Sequence, residues 1–411
     1  MTDLMNRRAF LTRTALIGCS LAASPLMTPV SFAATPGENR LVVILLRGAM
    51  DGLDVVRPYG DPAYSALRGD AGINDTDGAA DLDGYFGLHP ALRSLLPLWQ
   101  QGQLGFAHAV STPYRNKRSH FDGQDMLEAG IGSEALTNSR DGWLNRVLQN
   151  LPGARAETAY AIGGDQLRIM GGPAKSQRWS PDTDLVLSPQ AIELAQLIMA
   201  EDPDFDAAFR QAMSIADNDG DGVALSGNRR DMMQAVNQNA KHDKNNSAER
   251  RIAEFAGKRL REETRIASFS INGWDTHQNQ DRTLIPALGR LAETILTLQS
   301  TLTGPIWNKT TVVAVTEFGR TARLNGSNGT DHGTGGLMVM AGGALRGGRV
   351  IGDWPGLDEG QLFERRDLMP TRDLRAYIGW LLHSQFGLDF STIENAIFPD
   401  LDMGKNPGLI L

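Results

Sequence analysis

Six apolar runs of strand length punctuate the chain: Leu41 to Leu46, Leu104 to Val110, Ala159 to Ile162, Ile266 to Ile271, Thr311 to Val315 and Leu337 to Ala341. Near-continuous apolar runs of this kind mark strands buried on both faces. Between them the spacing becomes helical. Leu284, Leu288, Leu291, Ile295, Leu298 and Leu302 recur at intervals of four and three, which lines one buried helical face. A second helix is expected to open at Thr371 as its N-cap, with Leu374, Ile378 and Leu381 turned inward. Strands alternating with helices predict an α/β fold, a doubly wound and mostly parallel sheet covered on both faces.

The pattern breaks between residues 188 and 263, where long polar stretches carry helical spacing and no strand. This segment reads as a helical insertion that caps the site and divides the α/β domain into 34–187 and 264–411. Within it, Asp217, Asp219, Asp221 and Gly222 match the first half of a calcium loop, but Asn228 stands where the bidentate glutamate belongs, so a solvated acidic turn is the default.

Residues 1–33 read as an export signal. Arg7 and Arg8 precede Phe10-Leu11, an apolar stretch follows, and Ser31-Phe32-Ala33 offers small residues for cleavage after Ala33. Paired arginines before Phe-Leu resemble a twin-arginine signal, so the translocase of that route is the expected export partner and the periplasm the expected location. An ordinary secretory signal is the alternative, and Leu16-Ile17-Gly18-Cys19 also resembles a lipoprotein box. Cys19 is the only cysteine, so a chain cleaved after Ala33 would have neither disulfides nor cysteine-metal sites. With 411 residues, 41% hydrophobic, the chain can bury a large core, and no stretch is long and apolar enough for a membrane span in the mature chain. A net charge of -8 without dense Lys/Arg runs argues against nucleic acid as a partner.

Candidate chemistry gathers just after the apolar runs, where parallel sheets bind ligands. Asp51 follows the first run; Asp275 and His277 follow Ile271; Glu317 and Arg320 follow Val315; His332 lies on a glycine-rich loop beyond them. Carboxylate with imidazole is a ligand set for borderline divalent metals, zinc first, with manganese or calcium as alternatives. For any one of these residues a helix cap or a loop hydrogen bond is the competing role. After Val110 come Arg115, Arg118, Ser119 and His120. Ser119 is a candidate nucleophile at a helix start, though with Asp122 three residues on it equally fits a helix cap. His120 is a candidate ligand or acid/base. Arg118 or Arg320 would face an anion. His108 is open between packing and the site, while His89, His242 and His383 read as structural or solvated.

The ordered motifs Leu-Arg-Gly-Ala-Met-Asp-Gly-Leu-Asp at 46–54, Leu-His-Pro-Ala-Leu at 88–92, Arg-Ser-His-Phe-Asp at 118–122, Gly-Trp-Asp-Thr-His at 273–277, Thr-Glu-Phe-Gly-Arg-Thr at 316–321 and Asp-His-Gly at 331–333 span nearly the whole mature chain. They resemble the bacterial domain-of-unknown-function family 1501, itself similar to the alkaline phosphatase and sulfatase superfamily. That resemblance implies a one- or two-metal site at the carboxyl edge of a doubly wound sheet. It implies that Asp51, Asp275, His277, Glu317 and His332 hold metal and that Ser119 takes the place of the alkoxide nucleophile. Phe318 stands where an Asp-His pair would carry its histidine, which departs from a full two-zinc set. Ser111, Pro113 and Arg115 share part of the sulfatase formylglycine motif, without its remainder.

The expected function is an exported, metal-dependent hydrolase that takes a small anionic phosphate or sulfate ester as its substrate. The alternative is an exported binding or assembly protein of the same fold that keeps at most a structural metal.

Overall fold

The computed structural model describes residues 37–115, 118–132, 141–181 and 247–411. The export signal with Cys19, the acidic turn at Asp217 to Asp221, His242 and most of the expected insertion lie outside the described residues.

Among the described residues the strands run in chain order as β1 (Arg40–Arg47), β2 (Val56–Arg57), β3 (Ala80–Asp81), β4 (Gly87–Leu88), β5 (Leu104–Ser111), β6 (Ala159–Ile162), β7 (Gln177–Trp179), β8 (Ile266–Asn272), β9 (Thr310–Val315), β10 (Gly336–Ala341), β11 (Val350–Ile351) and β12 (Arg372–Asp373). The helices that matter here are α1 (Gly52–Val55), α2 (Tyr64–Arg68), α3 (Leu96–Gln100), α4 (His120–Ala129), α5 (Trp143–Asn150), α6 (Ala248–Leu260), α7 (Gln280–Thr283), α8 (Ile285–Trp307) and α9 (Leu374–Phe386). All six apolar runs are strands.

The main sheet has the order β11-β5-β10-β9-β1-β8-β6-β7, with β12 also paired to β5. Every pairing is parallel except those of β10, which runs antiparallel to both β5 and β9. The fold is therefore mixed α/β with a mostly parallel sheet. Alternation along β1 sorts the core into two layers, because successive side chains of a strand point to opposite faces. Val42, Ile44 and Leu46 join α3, α6 and α8 on one face, whereas Leu41, Val43 and Leu45 join α5 and α9 on the other. The stripe from Leu284 to Leu302 is fully buried against the sheet. Ile252, Phe255 and Leu260 of α6, which falls within the range read as insertion, pack into the same core.

The second predicted helix begins later than expected. Its N-cap is Asp373, whose carboxylate accepts from the Arg375 amide at 2.8 Å, and not Thr371. Thr371 is held back in extended chain by its amide bond to the Ala109 carbonyl, and β12 then pairs with β5. Leu374, Ile378 and Leu381 do turn inward.

This topology positions the site. Parallel strands β1, β5, β8 and β9 discharge their following loops at one sheet edge, carrying Asp51, His120, Asp275 with His277, and Glu317 respectively. The reversed β10 brings the loop before its first residue, and thus His332, to that same edge. Two glycines allow the loops to close on one another. Gly48 has φ +119° and passes so near the Asp275 loop that a Cβ would sit 2.7 Å from the Asp275 nitrogen. At Gly329 a Cβ would run into the His277 carbonyl.

Candidate metal centre

His120, Asp275 and His332 each offer one ligand atom, and these atoms lie within 4.8 Å of one another. The focus is Asp275 Oδ1. It lies 2.9 Å from His277 Nε2, 3.3 Å from His332 Nε2 and 3.5 Å from His120 Nε2. His277 Nε2 and His332 Nε2 are themselves 3.1 Å apart.

The far side of each ring explains why these nitrogens face inward. His120 Nδ1 lies 2.7 Å from Glu317 Oε1, His332 Nδ1 lies 2.8 Å from the Arg118 carbonyl, and His277 Nδ1 faces Asp331 Oδ1 at 3.5 Å. Carbonyl and carboxylate oxygens only accept, so an Nδ1–H on each ring would satisfy them and leave its Nε2 free to act as a ligand. The Nε2 atoms of His120 and His332 thus converge with Asp275 Oδ1, and His277 Nε2 stands beside Asp275 and His332. His120 Nε2 is buried and, among the described residues, has no hydrogen-bond partner. The group's nitrogen and oxygen donors suit a borderline divalent metal. The residues present fit the group.

Ionisation follows from the same contacts. The hydrogen bond to Glu317 raises the His120 pKa against the opposing effect of burial, so the site favours positive charge at that ring. Burial would raise Asp275, but the Arg320 hydrogen bond and charge, with His277 and His120, hold its carboxyl below the usual range. Glu317 is likewise pushed up by burial and pulled further down by His120, its own backbone amide and Thr316, so it stays ionised. Burial lowers His332.

Several expected roles change place. Glu317, expected as a ligand, stands behind His120. Its Oε1 accepts from the Gly48 amide at 2.9 Å and from Gln124 Nε2 at 3.2 Å as well as from His120, and its Oε2 accepts from the Thr316 hydroxyl at 2.9 Å. It holds the His120 ring from behind, the kind of contact that fixes ring and tautomer at metal sites. Asp51, also expected as a ligand, caps α1 through the Leu53 amide at 3.1 Å and is held by Arg68 and by Gln280, each at 2.6 Å. It is absent from the converging group. Arg320, expected to face an anion, has no exposed side-chain surface. Its guanidinium donates to the carbonyls of Gly48, Ala49, Trp274 and Thr330 and to Asp275, so it clamps the site loops together.

Ser119 is the N-cap of α4, its Oγ accepting from the Asp122 amide at 3.4 Å. His120, first residue of that helix, enters the ligand group. Arg118 keeps a half-exposed guanidinium with a single ion pair, to Glu364 at 3.6 Å. Phe318 stacks on His120 at 5.3 Å and on Tyr114 at 5.6 Å, forming an apolar wall where the resemblance places a histidine. Ser111 is buried at the end of β5, and Arg115 donates to the Thr112 and Tyr114 carbonyls. His108 packs: Nε2 bonds the Val56 carbonyl, Nδ1 accepts the Ala109 amide, and burial lowers it to about 4. His89 caps a 3₁₀ turn, and His383 bonds the Leu388 carbonyl.

Sequence reasoning missed Gln280. Its amide nitrogen holds Asp51 while its oxygen accepts from Thr276 at 2.8 Å and Thr330 at 2.7 Å, tying together the loops that carry Asp275 and His332. Its position three residues beyond His277 was the only signal.

No curated protein matches the sequence. Among solved structures, the chain is similar to the lipoteichoic acid synthase LtaP from Listeria monocytogenes, with TM-score 0.39 and 9% identity over 90% of this chain and 78% of that one. It is also similar to a protein in the alkaline phosphatase superfamily from Vibrio parahaemolyticus, with TM-score 0.38 and 12% identity over 90% of this chain and 72% of that one. Residues 38–380 match the family described as "Protein of unknown function (DUF1501)", in agreement with the ordered motifs, and the chain belongs to that family.

Proposed function

We propose that the chain is an exported metal-dependent hydrolase of phosphate or sulfate esters. One observation carries the reading: the buried Nε2 of His120, without a hydrogen bond among the described residues, grouped with Asp275 and His332. His120, Asp275, His277 and His332 would hold one divalent cation, zinc being the best match to three imidazoles and a carboxylate. When bound, such a cation supplies Lewis acidity toward an ester oxygen and lowers the pKa of bound water.

The chain's own residues do the rest. Glu317, the Arg118 carbonyl and Asp331 keep the three rings in the Nδ1–H tautomer. Arg320 holds Asp275 ionised. Arg118, with its half-exposed guanidinium, meets the anionic ester. Phe318 keeps water away from the back of His120. Because the Ser119 oxygen is engaged in capping α4, water is the nucleophile in this reading. Water adds to phosphorus or sulfur, the bond to the alcohol oxygen breaks, and the alcohol departs with a proton.

Export rests on the twin-arginine-like segment at residues 1–33; no helix among the described residues is long and apolar enough to cross a membrane.

Elemental analysis of protein purified without added metal tests the reading, against an Asp275→Ala, His332→Ala double variant. Stoichiometric metal in the parent and none in the variant is expected, followed by turnover in an ester screen. No metal in either protein overturns it. The full engagement of Arg320 and the aromatic wall at Phe318 favour, as a second reading, a binding protein with a structural metal. That protein would retain the metal and show ligand-dependent thermal stabilisation without turnover.

A further inference from the structure

Helix α4 turns a polar stripe toward the sheet edge. His120, Gln124 and Glu128 recur every four residues, which places them on one face of the helix. The helix docks closely there: a Cβ at Gly123 would sit 2.9 Å from the Phe318 ring and 3.3 Å from the Glu317 Cβ. Glu128 is 3% exposed, a depth at which a carboxylate needs a paired charge. Arg47, at the end of β1, supplies that charge at 2.7 Å from Glu128 Oε1, and Glu128 Oε2 accepts the Ile169 amide at 3.0 Å. Asp165 Oδ2 stands 3.9 Å from Arg47 Nε.

The same guanidinium donates through its other terminal nitrogen to Gln124 Oε1 at 2.8 Å. An arginine only donates, so the Gln124 atom turned to it is the oxygen, and the amide nitrogen points at Glu317 Oε1, 3.2 Å away. Glu317 Oε1 in turn meets His120 Nδ1 at 2.7 Å. One hydrogen-bonded chain therefore runs from the Ile169 amide through Glu128, Arg47, Gln124 and Glu317 to the His120 ring. A buried ion pair adds little stability over apolar residues of the same volume. What an apolar pair lacks is the fork, two donors held at a fixed angle, one on Glu128 and one on Gln124. Without the Arg47 donor the Gln124 amide is free to turn over and bring its oxygen against the Glu317 carboxylate, which would push that carboxylate out of line with His120.

We infer that Arg47 and Gln124 are positioning residues of the metal centre: Arg47 sets the direction of the Gln124 amide, and that amide keeps Glu317 aligned with His120 so that Nε2 of the ring faces Asp275 and His332. The inference rests on the reading of the cluster as a metal site. Neither residue is a ligand, and both act through Glu317.

Two variants cut the chain of bonds without stranding a buried charge. Gln124→Met leaves the pair of Arg47 and Glu128 intact, and Arg47→Met combined with Glu128→Met removes both of its members. Asp125→Ala is the control, on the same helix but paired outward with Arg168 at 2.9 Å. Long-range proton–nitrogen spectra of the full chain labelled at histidine, metal-free and at a pH where the rings are neutral, read the His120 tautomer; competition with a chelator reads zinc affinity. Parent and control are expected to hold the His120 hydrogen on Nδ1. In both cut variants the two ring-nitrogen resonances should draw together, as in a ring exchanging tautomers, and zinc affinity should fall by about tenfold, the smaller end of what outer partners contribute. An unchanged tautomer in either variant overturns the inference, even where zinc affinity falls, because loosening of α4 alone would give that loss. Failure of the metal reading looks different: a parent that binds no zinc, with a His120 tautomer that still responds to both cuts, removes the metal centre and keeps the positioning of the ring.

Discussion

Asp51 and Asp275 emerge at the same edge of one sheet, each held by an arginine at 2.6 Å, yet their surroundings differ in kind. Asp51 is 1% exposed and every close partner is a donor: Arg68, Gln280 and the Leu53 amide. Its charge is neutralised within the protein, and nothing is left over for a ligand. Asp275 is 45% exposed and shares its Oδ1 with Arg320 and with three imidazole nitrogens, each on a ring whose other nitrogen faces an acceptor. Two aspartates placed alike thus do different work. What separates them is burial among an arginine, an amide side chain and a backbone amide for Asp51, and a half-open place among imidazoles for Asp275.

The contrast can be broken most sharply at Asp51. Asp51→Ala would leave the Arg68 guanidinium, 3% exposed, without its counter-charge, and a cost of roughly 3–5 kcal/mol in unfolding free energy is expected. Denaturant titration reads the loss. Metal content per folded molecule should be unchanged, and a parallel loss of metal would place Asp51 back among the ligands.

The buried region should also be the acid-sensitive one. Burial lowers His108 from 6.5 to about 4, so between those values the unfolded chain takes up a proton that the folded chain refuses. Stability contributed by the neutral ring is full above pH 6.5 and lost as pH falls toward 4, by about 3 kcal/mol. His89, also lowered to about 4 by burial, acts in the same direction. A His108→Gln variant should show a visibly flatter dependence of unfolding free energy on pH across that window; equal slopes would count against a neutral buried ring.

At the rim, Glu317→Gln tests orientation separately from ligation. The amide keeps the shape but can present a donor to His120 Nδ1, which no longer enforces the tautomer. Metal affinity measured against a competing chelator is expected to fall about 10- to 100-fold. Complete loss of binding would make Glu317 a direct ligand.

The smallest expected effect completes the comparison. Asp275→Asn should abolish metal binding yet cost the metal-free protein less stability than Asp51→Ala does, because Asp275 itself is 45% exposed and the buried Arg320 guanidinium keeps four carbonyl partners. A cost like that of Asp51→Ala would erase the distinction between the two regions.

The long elements of the fold were legible because burial on both faces leaves no polar alternation to confuse them. The runs from Leu41 and Thr311 read directly as strands, and the stripe from Leu284 to Leu302 as a helix face. Strands of two or three residues, such as β2, β7 and β12, are too short to show a period. The displaced cap at Thr371 has the same origin: pairing of β12 with β5, a contact distant in sequence, keeps the chain extended for two residues more.

By itself the sequence determined the family, the mostly parallel α/β architecture and the sheet edge at which acid and imidazole side chains gather, since all three follow from local composition and order. It also supplied Asp275, His277 and His332 as members of one group. Only the tertiary structure decided how the roles are divided: Asp51 with Arg68 and Gln280, Arg320 with backbone carbonyls, Glu317 behind His120, and His120 inward. The role of a charged group is set by the partners that reach it. Apart from Arg68, those partners come from loops 197 to 272 residues apart in the chain, joined at one edge by the direction of the strands and by the reversal of β10.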